Sequence, residues 1–251
     1  MYVLHVVGAR PNFIKAAPVT CALGSWSDVR QTLVHTGPHY NKNLSDVFFS
    51  QLSMPDPYVN LEVGSGSHAW QTAEVMRRFE PVLLERKPDI VLVYGDVNST
   101  AAAALVCSKL NICLAHVEAG LRSFDRTMPE EINRILTDQL SDMLFTPSED
   151  ADINLQHEGI AKERIFRVGN VIIDLLVRLL PAASQCARNG LPERYALVTL
   201  HRPSNVDDST SLRQILTSLL EVNDALEVMF PRTRGPASVS NNSVSTRESF
   251  T

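Results

Sequence analysis

The sequence predicts an α/β fold built on a doubly wound parallel sheet, followed by the start of a second α/β unit. Strand-like and helix-like segments alternate from the first residue, with short connections. Several of the strand-like segments are apolar throughout, as in Ile90–Val93. Such runs suit strands that helices cover on both faces, which is the situation in parallel sheets. Alternation of this kind favours right-handed βαβ units.

The first domain is expected over residues 1–168. Its predicted strands are Tyr2–Val7, Gln31–Thr36, Ile90–Tyr94, Ile112–Val117, Met143–Thr146 and Ile165–Val168. Its predicted helices are one that starts at about Phe13, then Ala69–Arg86, Ser99–Leu110 and a helix from Pro129 to about Asp142. Pro129 suits the first position of the last helix, and Glu130 and Glu131 suit its first turn.

The pattern restarts near Gly169, which predicts a partial second domain over residues 169–234. Its predicted elements are helix Val171–Leu180, strand Ala196–Leu200, helix Ser211–Asn223 and strand Val228–Phe230. A sheet of two strands with one intervening helix is poorly covered, so this domain is expected to be incomplete. Residues 235–251 are rich in Ser, Asn and Thr without periodicity, which is typical of a disordered tail.

The composition is that of an ordinary globular protein. The chain has 251 residues, 44% of them hydrophobic and 20% charged, and a formal net charge of -5. This mildly acidic balance, without a basic cluster or an aromatic platform, argues against binding to nucleic acid or to an anionic membrane surface. The apolar run at the N-terminus is too short for a signal peptide, and no stretch approaches the ~20 apolar residues of a membrane span. A cytoplasmic protein is expected.

The four cysteines lack metal-site or redox-motif spacing. Cys21, Cys107, Cys113 and Cys186 lie in apolar or helical contexts without a CxxC pair. Buried, reduced thiols are the expectation.

Three carboxylates stand where chemistry is expected in an open α/β sheet. Asp96 and Glu118 each follow an apolar strand, and Glu131 lies in the first turn of the Pro129 helix. Ligands bind at the carboxyl ends of such strands. Asp96 could instead cap the helix that follows it, and Glu131 could complement a helix dipole. Acids that converge at this edge could transfer protons, because burial and repulsion raise carboxyl pKa values. Without a DxD or HxD cluster, a metal site is the less favoured interpretation.

Two glycine-containing loops could hold a phosphate. The loop from Gly8 to Asn12 follows the first strand and precedes a helix N-terminus, from which Arg10 and Lys15 could face an anion. Both cations could equally be ordinary surface residues. The Gly64–His68 segment is either a phosphate cradle or, as we favour, a flexible connector. No GxGxxG or Walker A sequence is present, so no NAD site is expected.

A histidine and an arginine end the first strand of the second domain. His201 and Arg202 follow Leu200, which places a titratable ring and a cation at the sheet edge. A structural histidine is the alternative. His35, His39, His68 and His116 have weaker contexts, and His5 and His157 are expected to be structural.

Seven motifs in order resemble the non-hydrolysing UDP-N-acetylglucosamine 2-epimerases. They are GARPNFIKAAP (8–18), HTGPHY (35–40), YGDVNST (94–100), HVEAGLRS (116–123), PEEINR (129–134), VGNVIID (168–174) and TLHRPSNVDD (199–208). The resemblance extends from residue 1 to about Phe230. It implies two Rossmann-like domains in a GT-B-like architecture, here incomplete, and a family that self-associates, which suggests a homodimer.

The resemblance also implies an isomerase that interconverts UDP-GlcNAc and UDP-ManNAc, in a pathway such as polysaccharide biosynthesis. UDP is eliminated and added back while a proton is transferred at sugar C2, without metal or NAD. The implied catalytic residues are Asp96, Glu118, Glu131 and His201. The implied substrate-binding residues are Arg10, Lys15, Arg122, Arg202 and Asn205.

The chain departs from the family pattern near its C-terminal end. The DSGG-type motif and the paired acids that hold UDP in the family are not found in the sequence. It is therefore expected to be a C-terminally truncated member. Three alternatives stay open: a non-catalytic interaction domain, a hydrolysing epimerase and a GT-B-like glycosyltransferase.

Overall fold

The computed structural model describes residues 1–37, 52, 54–185, 191–200 and 208–230, with the side chain of Arg10 outside the description. The predicted disordered tail lies outside these residues. Contacts divide the chain into one unit that spans Met1–Gln185 and another that spans Cys186–Thr251.

In the described residues of the first unit, seven strands form a parallel sheet. In chain order these are β1 (Tyr2–Val7), β2 (Arg30–His35), β3 (Val59–Asn60), β4 (Ile90–Tyr94), β5 (Cys113–Val117), β6 (Met143–Thr146) and β7 (Ile165–Arg167). Their order across the sheet is β3-β2-β1-β4-β5-β6-β7. The direction of winding therefore reverses between β1 and β4, which is the position where ligands bind in doubly wound sheets.

Six helices accompany these strands in the described part of the first unit. They are α1 (Arg10–Gly24), α2 (His68–Arg86), α3 (Asn98–Leu110), α4 (Pro129–Leu140), α5 (Glu149–His157) and α6 (Val171–Ser184). The first of them begins three residues before the predicted Phe13. Pro11 is compatible with a first turn, and buried Asn12 closes it, so the helix starts at the loop itself.

The sheet separates two apolar layers, as alternation along β1 requires. Leu4 and Val6 pack with residues of α2 and α3 on one face. Val3 and Val7 pack with residues of α1 on the other face. Burial on both faces explains why the central strands have nearly continuous apolar sequences.

Helix α6 belongs to the first unit, whereas the sequence placed it at the start of the second domain. Its Leu175 is part of the core that also contains Phe13 of α1. Arg178 donates from Nη2 to the carbonyl of Leu52 at 2.8 Å. These contacts place α6 in the compact unit that ends at Gln185, while the domain division expected from the sequence at residues 168/169 stays a prediction. The strand–helix pattern of the sequence therefore restarts near Gly169, whereas the first compact unit continues to Gln185.

The second unit contains the predicted strand–helix–strand sequence. Strands β8 (Ala196–Leu197) and β9 (Val228–Met229) pair in parallel, and α7 (Ser209–Ala225) lies between them in the chain. Asp208 caps this helix by accepting a hydrogen bond from the Ser211 amide at 2.7 Å. The second unit thus has the start of an α/β pattern.

The structure also gives the exposure of the cysteines and the composition of the helices. Cys107 is buried as expected and Cys113 is partly buried, but Cys21 on α1 is exposed, so the expectation of a buried thiol is wrong for Cys21. Cys186 lies outside the described residues. Among the helices of the described residues, none has the length and apolar composition needed to cross a bilayer.

Candidate functional site

The carboxyl edge of the sheet brings together the loops that follow β1, β4 and β5. Asp96 lies two residues beyond β4, and Glu118 directly follows β5. The two strands are hydrogen-bonded neighbours, with Tyr94 opposite Val117. The two acids selected from the sequence therefore end adjacent strands, next to the point where the sheet changes its direction of winding.

Glu118 pairs with a lysine from the first helix. Its carboxylate forms an ion pair with the Lys15 ammonium, and the two side chains are only 17% and 9% exposed. Glu118 has a φ of 73°, and its amide donates to the carbonyl of Phe145 at 3.0 Å. A Cβ added at Gly95 would lie 2.6 Å from Lys15 Nζ. The loops after β4 and β5 and helix α1 thus meet at one ion pair.

Asp96 is held by an arginine that also reaches Glu131. Arg134 donates to Asp96 Oδ2 from Nε at 2.9 Å and from Nη2 at 2.7 Å. Its Nη1 donates to Glu131 Oε2 at 2.9 Å. The Asp96 side chain is 27% exposed, and that of Glu131 only 1%. One guanidinium therefore joins an accessible acid to a buried acid.

Glu131 is almost fully occupied by hydrogen bonds. Its Oε2 accepts from the amide and the hydroxyl of Ser123 at 2.9 and 3.0 Å, and its Oε1 accepts from the Phe124 amide at 3.1 Å. Burial raises the pKa of Glu131, but the bonds from Ser123, Phe124 and Arg134 outweigh it and hold the pKa below its usual value. The expectation of a raised carboxyl pKa is wrong for this residue. It is an ionised anchor for the loop that follows Glu118.

Arg122, expected to bind substrate, is committed to other partners. Its side chain is 1% exposed, and Nη1 lies 2.7 Å from Asp138 Oδ2. Its Nε and Nη2 donate to Glu158 at 2.7 and 2.6 Å. These contacts leave the guanidinium turned into the protein, so a role as substrate ligand does not fit its surroundings.

Two backbone amides of the loop after β1 form hydrogen bonds within the loop and the start of α1. The amides of Gly8 and Ala9 both donate to Asn12 Oδ1 at 3.0 Å, and Asn12 Nδ2 donates to the Tyr94 carbonyl at 2.6 Å. A Cβ on Gly8 would lie 2.3 Å from Ser99 Oγ, so only glycine fits. The two amides are therefore not available to a phosphate.

The Gly64–His68 segment both starts a helix and borders a cavity. Ser67 caps α2 by accepting from the Trp70 amide at 3.2 Å. His68 lies 3.2 Å from Asn98 Oδ1 through its Nδ1. The segment is therefore an ordered helix entry with a polar face.

A cavity of about 280 Å³ opens where the sheet changes direction. Its walls come from the loops after β1, β2 and β4 and from the starts of α2 and α4. The polar side chains that line it include those of Asp96, Asn98, Ser99, His68, Gln71, Glu130 and Asn133. Of the predicted catalytic residues that the structure describes, Asp96 lines this cavity, whereas Glu118 and Glu131 are not among its lining residues. A cavity of this kind can hold a small polar ligand such as a sugar.

Several predicted site residues lie outside the described residues. These are His201, Arg202 and Asn205, together with His39 and the side chain of Arg10. Within the described ranges, no group of three or more His, Cys, Asp and Glu side chains has an arrangement suited to a metal ion.

The structure adds one residue that the sequence motifs underrated. His116 is fully buried and lies 2.6 Å from Asp138 and 2.8 Å from the carbonyl of Gly95, through different ring nitrogens. The sequence feature that could have identified His116 is its place as a polar ring in the otherwise apolar strand β5. A polar group that is buried in such a strand needs hydrogen-bond partners.

Comparison with known proteins agrees with the motifs. A family model described as UDP-N-acetylglucosamine 2-epimerase matches residues 22–244. A UDP-N-acetylglucosamine 2-epimerase homolog of Methanococcus maripaludis is 48% identical over 241 residues, covering 93% of this chain and 67% of that protein. The UDP-2,3-diacetamido-2,3-dideoxy-D-glucuronate 2-epimerase of Pseudomonas aeruginosa is 44% identical over 241 residues, covering 94% of this chain and 68% of that protein.

Solved structures give the same result. A crystal structure of Methanocaldococcus jannaschii UDP-GlcNAc 2-epimerase in complex with UDP-GlcNAc and UDP has a TM-score of 0.84 and 43% identity, covering 92% of this chain and 65% of that chain. The chain thus spans about two thirds of the length of these relatives. The predicted fold class is confirmed: a doubly wound Rossmann-like domain followed by the start of a second one, of the GT-B-like class.

Proposed function

The chain belongs to the UDP-N-acetylglucosamine 2-epimerase family, and on this premise we propose that the protein interconverts UDP-GlcNAc and UDP-ManNAc. The observation that supports the proposal is the placement of Asp96 and Glu118 at the ends of neighbouring strands, with Asp96 lining a cavity at this edge of the sheet. A reaction that removes a proton from one face of a carbon and returns it to the other needs acid–base groups at one site.

The proposed reaction has two halves. A carboxylate takes the proton from sugar C2 while the bond between C1 and the UDP oxygen breaks, which leaves a double bond between C1 and C2 and free UDP. In the second half, UDP adds back to C1 and a carboxylic acid returns a proton to the other face of C2. Atoms and charge balance without an oxidant.

Asp96 and Glu118 are the proposed proton-transfer groups, because both carboxylates retain exposed surface. Asp96 forms an ion pair with Arg134, and Glu118 forms one with Lys15. Glu131 is proposed to act through Arg134, since hydrogen bonds occupy both of its oxygens. This assignment narrows the three-acid set that the motifs imply.

The remaining motif residues are proposed for the leaving diphosphate. Lys15 and Arg10 would contribute positive charge near the departing UDP, as would Arg202. His201 and Asn205 are proposed to contact the nucleotide. The resemblance to the family supports these assignments.

A second candidate substrate comes from the Pseudomonas aeruginosa relative, whose name specifies a UDP-2,3-diacetamido-2,3-dideoxy-D-glucuronate. The proposed chemistry at C2 would be the same. Asp96 and Glu130 both line the cavity, and this charge opposes a sugar carboxylate. We therefore favour the uncharged N-acetylglucosamine and propose a direct comparison of the two UDP-sugars as the test.

Deuterium incorporation tests the proposal. The protein is incubated with UDP-GlcNAc in D₂O, and NMR follows the signals of C2 and of the UDP-ManNAc product. Glu118→Gln and Asp96→Asn should each slow incorporation by about 100-fold or more. Glu163→Gln, an exposed acid just before β7 at the opposite edge of the sheet, is the matched control and should not change the rate. Absence of incorporation together with absence of UDP binding at millimolar concentration would refute the function for this chain.

We also propose a homodimer in the cytoplasm, on the basis of the family resemblance. Light scattering coupled to gel filtration should give twice the mass of the 27.8 kDa chain. A mass of one chain at micromolar concentration would contradict the dimer.

A further inference from the structure

A network of ionisable side chains, all buried except that of Glu158 with 27% exposure, lies beneath the loops that carry the two proposed proton-transfer residues. It runs from Glu158 through Arg122 and Asp138 to His116. The side chains of His116 and Asp138 are fully buried, and that of Arg122 is 1% exposed. Burying such groups costs free energy that good pairing only offsets, so their presence calls for a role beyond stability.

His116 connects this network of side chains to the loop after β4. Its Nδ1 lies 2.6 Å from Asp138 Oδ1, and its Nε2 lies 2.8 Å from the Gly95 carbonyl oxygen. The Gly95 carbonyl oxygen can only accept, so Nε2 donates to it, and Nδ1 lies within hydrogen-bonding distance of the Asp138 carboxylate. The imidazole therefore acts as a spacer between a carboxylate and a backbone carbonyl.

The Gly95 carbonyl belongs to the peptide that joins Gly95 to Asp96. Gly95 has a φ of 60°, and its amide donates to the Val117 carbonyl at 3.1 Å. The bond from His116 fixes the other side of this residue. The orientation of the peptide that leads into Asp96 is thus set by a buried imidazole.

Asp138 holds the loop after β5 in the same way. Its Oδ2 accepts from the Gly120 amide at 3.1 Å, two residues beyond Glu118. A Cβ on Gly120 would lie 2.4 Å from the Ala151 carbonyl oxygen, so the backbone is closely packed here. Asp138 therefore fixes one loop directly and the other through His116.

We propose that His116 and Asp138 are positioning residues that hold the Asp96 and Glu118 loops in one relative arrangement. The inference rests on the proposed function for what these loops do. Neither residue is assigned contact with the substrate. A misplacement of about 1 Å at a reacting group can cost on the order of 100-fold in rate, so such a pair would control turnover.

Two substitutions of His116 separate the two contacts. His116→Gln places an amide nitrogen near the position of Nε2 and keeps a donor for the Gly95 carbonyl. His116→Asn places its amide near Nδ1 and keeps only the contact with Asp138. We expect His116→Asn to lower the C2 exchange rate on the order of 100-fold, and His116→Gln to stay within about tenfold of the unsubstituted rate, with KM for UDP-GlcNAc unchanged in both. A structural role alone would affect both variants according to their stability.

Substitutions of Asp138 supply the second test. Asp138→Asn keeps an oxygen for the Gly120 amide and should retain more turnover than Asp138→Ala, which removes both contacts. The matched control is Asp152→Asn, another acid inside the first unit, which is bonded to Thr146 and to Arg167 Nε at 2.8 Å. It should lose stability without a change in exchange rate.

Amide hydrogen exchange decides the inference independently of activity. The Gly95 amide should exchange at least about tenfold faster in His116→Asn than in His116→Gln, and the Gly120 amide at least about tenfold faster in Asp138→Ala than in Asp152→Asn. Equal protection within each pair would overturn the positioning role. If the unsubstituted chain neither binds UDP-GlcNAc nor exchanges C2, the proposed function fails, and these amide measurements still test the arrangement of the loops.

Discussion

Gly95→Ala is expected to destabilise the first unit more than an ordinary glycine substitution does. Gly95 has a φ of 60°, a conformation that costs an L-residue roughly 1 kcal/mol or more. The added Cβ would lie 2.6 Å from Lys15 Nζ and 3.4 Å from Glu118 Oε2. It must therefore displace the ammonium from the carboxylate.

The magnitude follows from two contributions. Breaking a fully buried ion pair costs about 3–5 kcal/mol. The Lys15 and Glu118 side chains are 9% and 17% exposed, so water can reach them after the displacement and about 2 kcal/mol is expected here. With the backbone contribution of about 1 kcal/mol, Gly95→Ala should lower the free energy of unfolding by about 3 kcal/mol.

Gly159 offers the matched control for the backbone contribution. Its φ is 83°, and an added Cβ meets no heavy atom within 4 Å. Gly159→Ala should therefore cost only about 1 kcal/mol in urea unfolding. In a Lys15→Ala background, Gly95→Ala should fall to the same value. Equal costs for Gly95→Ala and Gly159→Ala in the unsubstituted protein would refute the argument that the ion pair needs the space at Gly95.

Three further predictions concern buried groups. Burial lowers the pKa of His5 from 6.5 to about 4, so the unfolded chain binds a proton at a higher pH than the folded chain does. The free energy of unfolding should therefore fall by about 3 kcal/mol as the pH drops from 6.5 to 4. Urea unfolding of His5→Gln should lack this pH-dependent loss of stability. Asn12→Ala removes the acceptor of the Gly8 and Ala9 amides and one of the two donors to the Tyr94 carbonyl, which keeps the Thr100 hydroxyl, and should cost about 2–4 kcal/mol in the same assay. A cost below about 0.5 kcal/mol, as for ordinary surface changes, would contradict the role of the Asn12 side chain. Burial raises the pKa of Cys107 to about 12, so a thiol reagent at pH 8 should label exposed Cys21 much faster, and equal rates would contradict the burial.

Most elements of the first unit were predictable because their patterns are local. The apolar run Ile90–Tyr94 specifies a strand with two covered faces, and it is one. Short β3, with only two residues, has no comparable pattern and was not predicted. The packing of α6 against α1, which extends the first compact unit to Gln185, is not encoded in the spacing of its apolar residues.

The candidate site divides in the same way. The sequence by itself determined that Asp96 and Glu118 end apolar strands, because strand periodicity and the change to polar residues can be seen along the chain. Only the tertiary structure decided that Asp96 pairs with Arg134 and Glu118 with Lys15. The same holds for Arg122, which was expected to contact substrate but pairs with Asp138.

Ion pairs and buried hydrogen bonds join residues from different elements, so their geometry depends on how the whole sheet is ordered. The sequence determined that this chain places carboxylates at the edge of a doubly wound sheet. The tertiary structure decided that Glu131 is a hydrogen-bonded anchor and that His116 links the two loops. The physical reason is that a side chain's chemistry depends on its partners, which only folding brings within hydrogen-bonding distance.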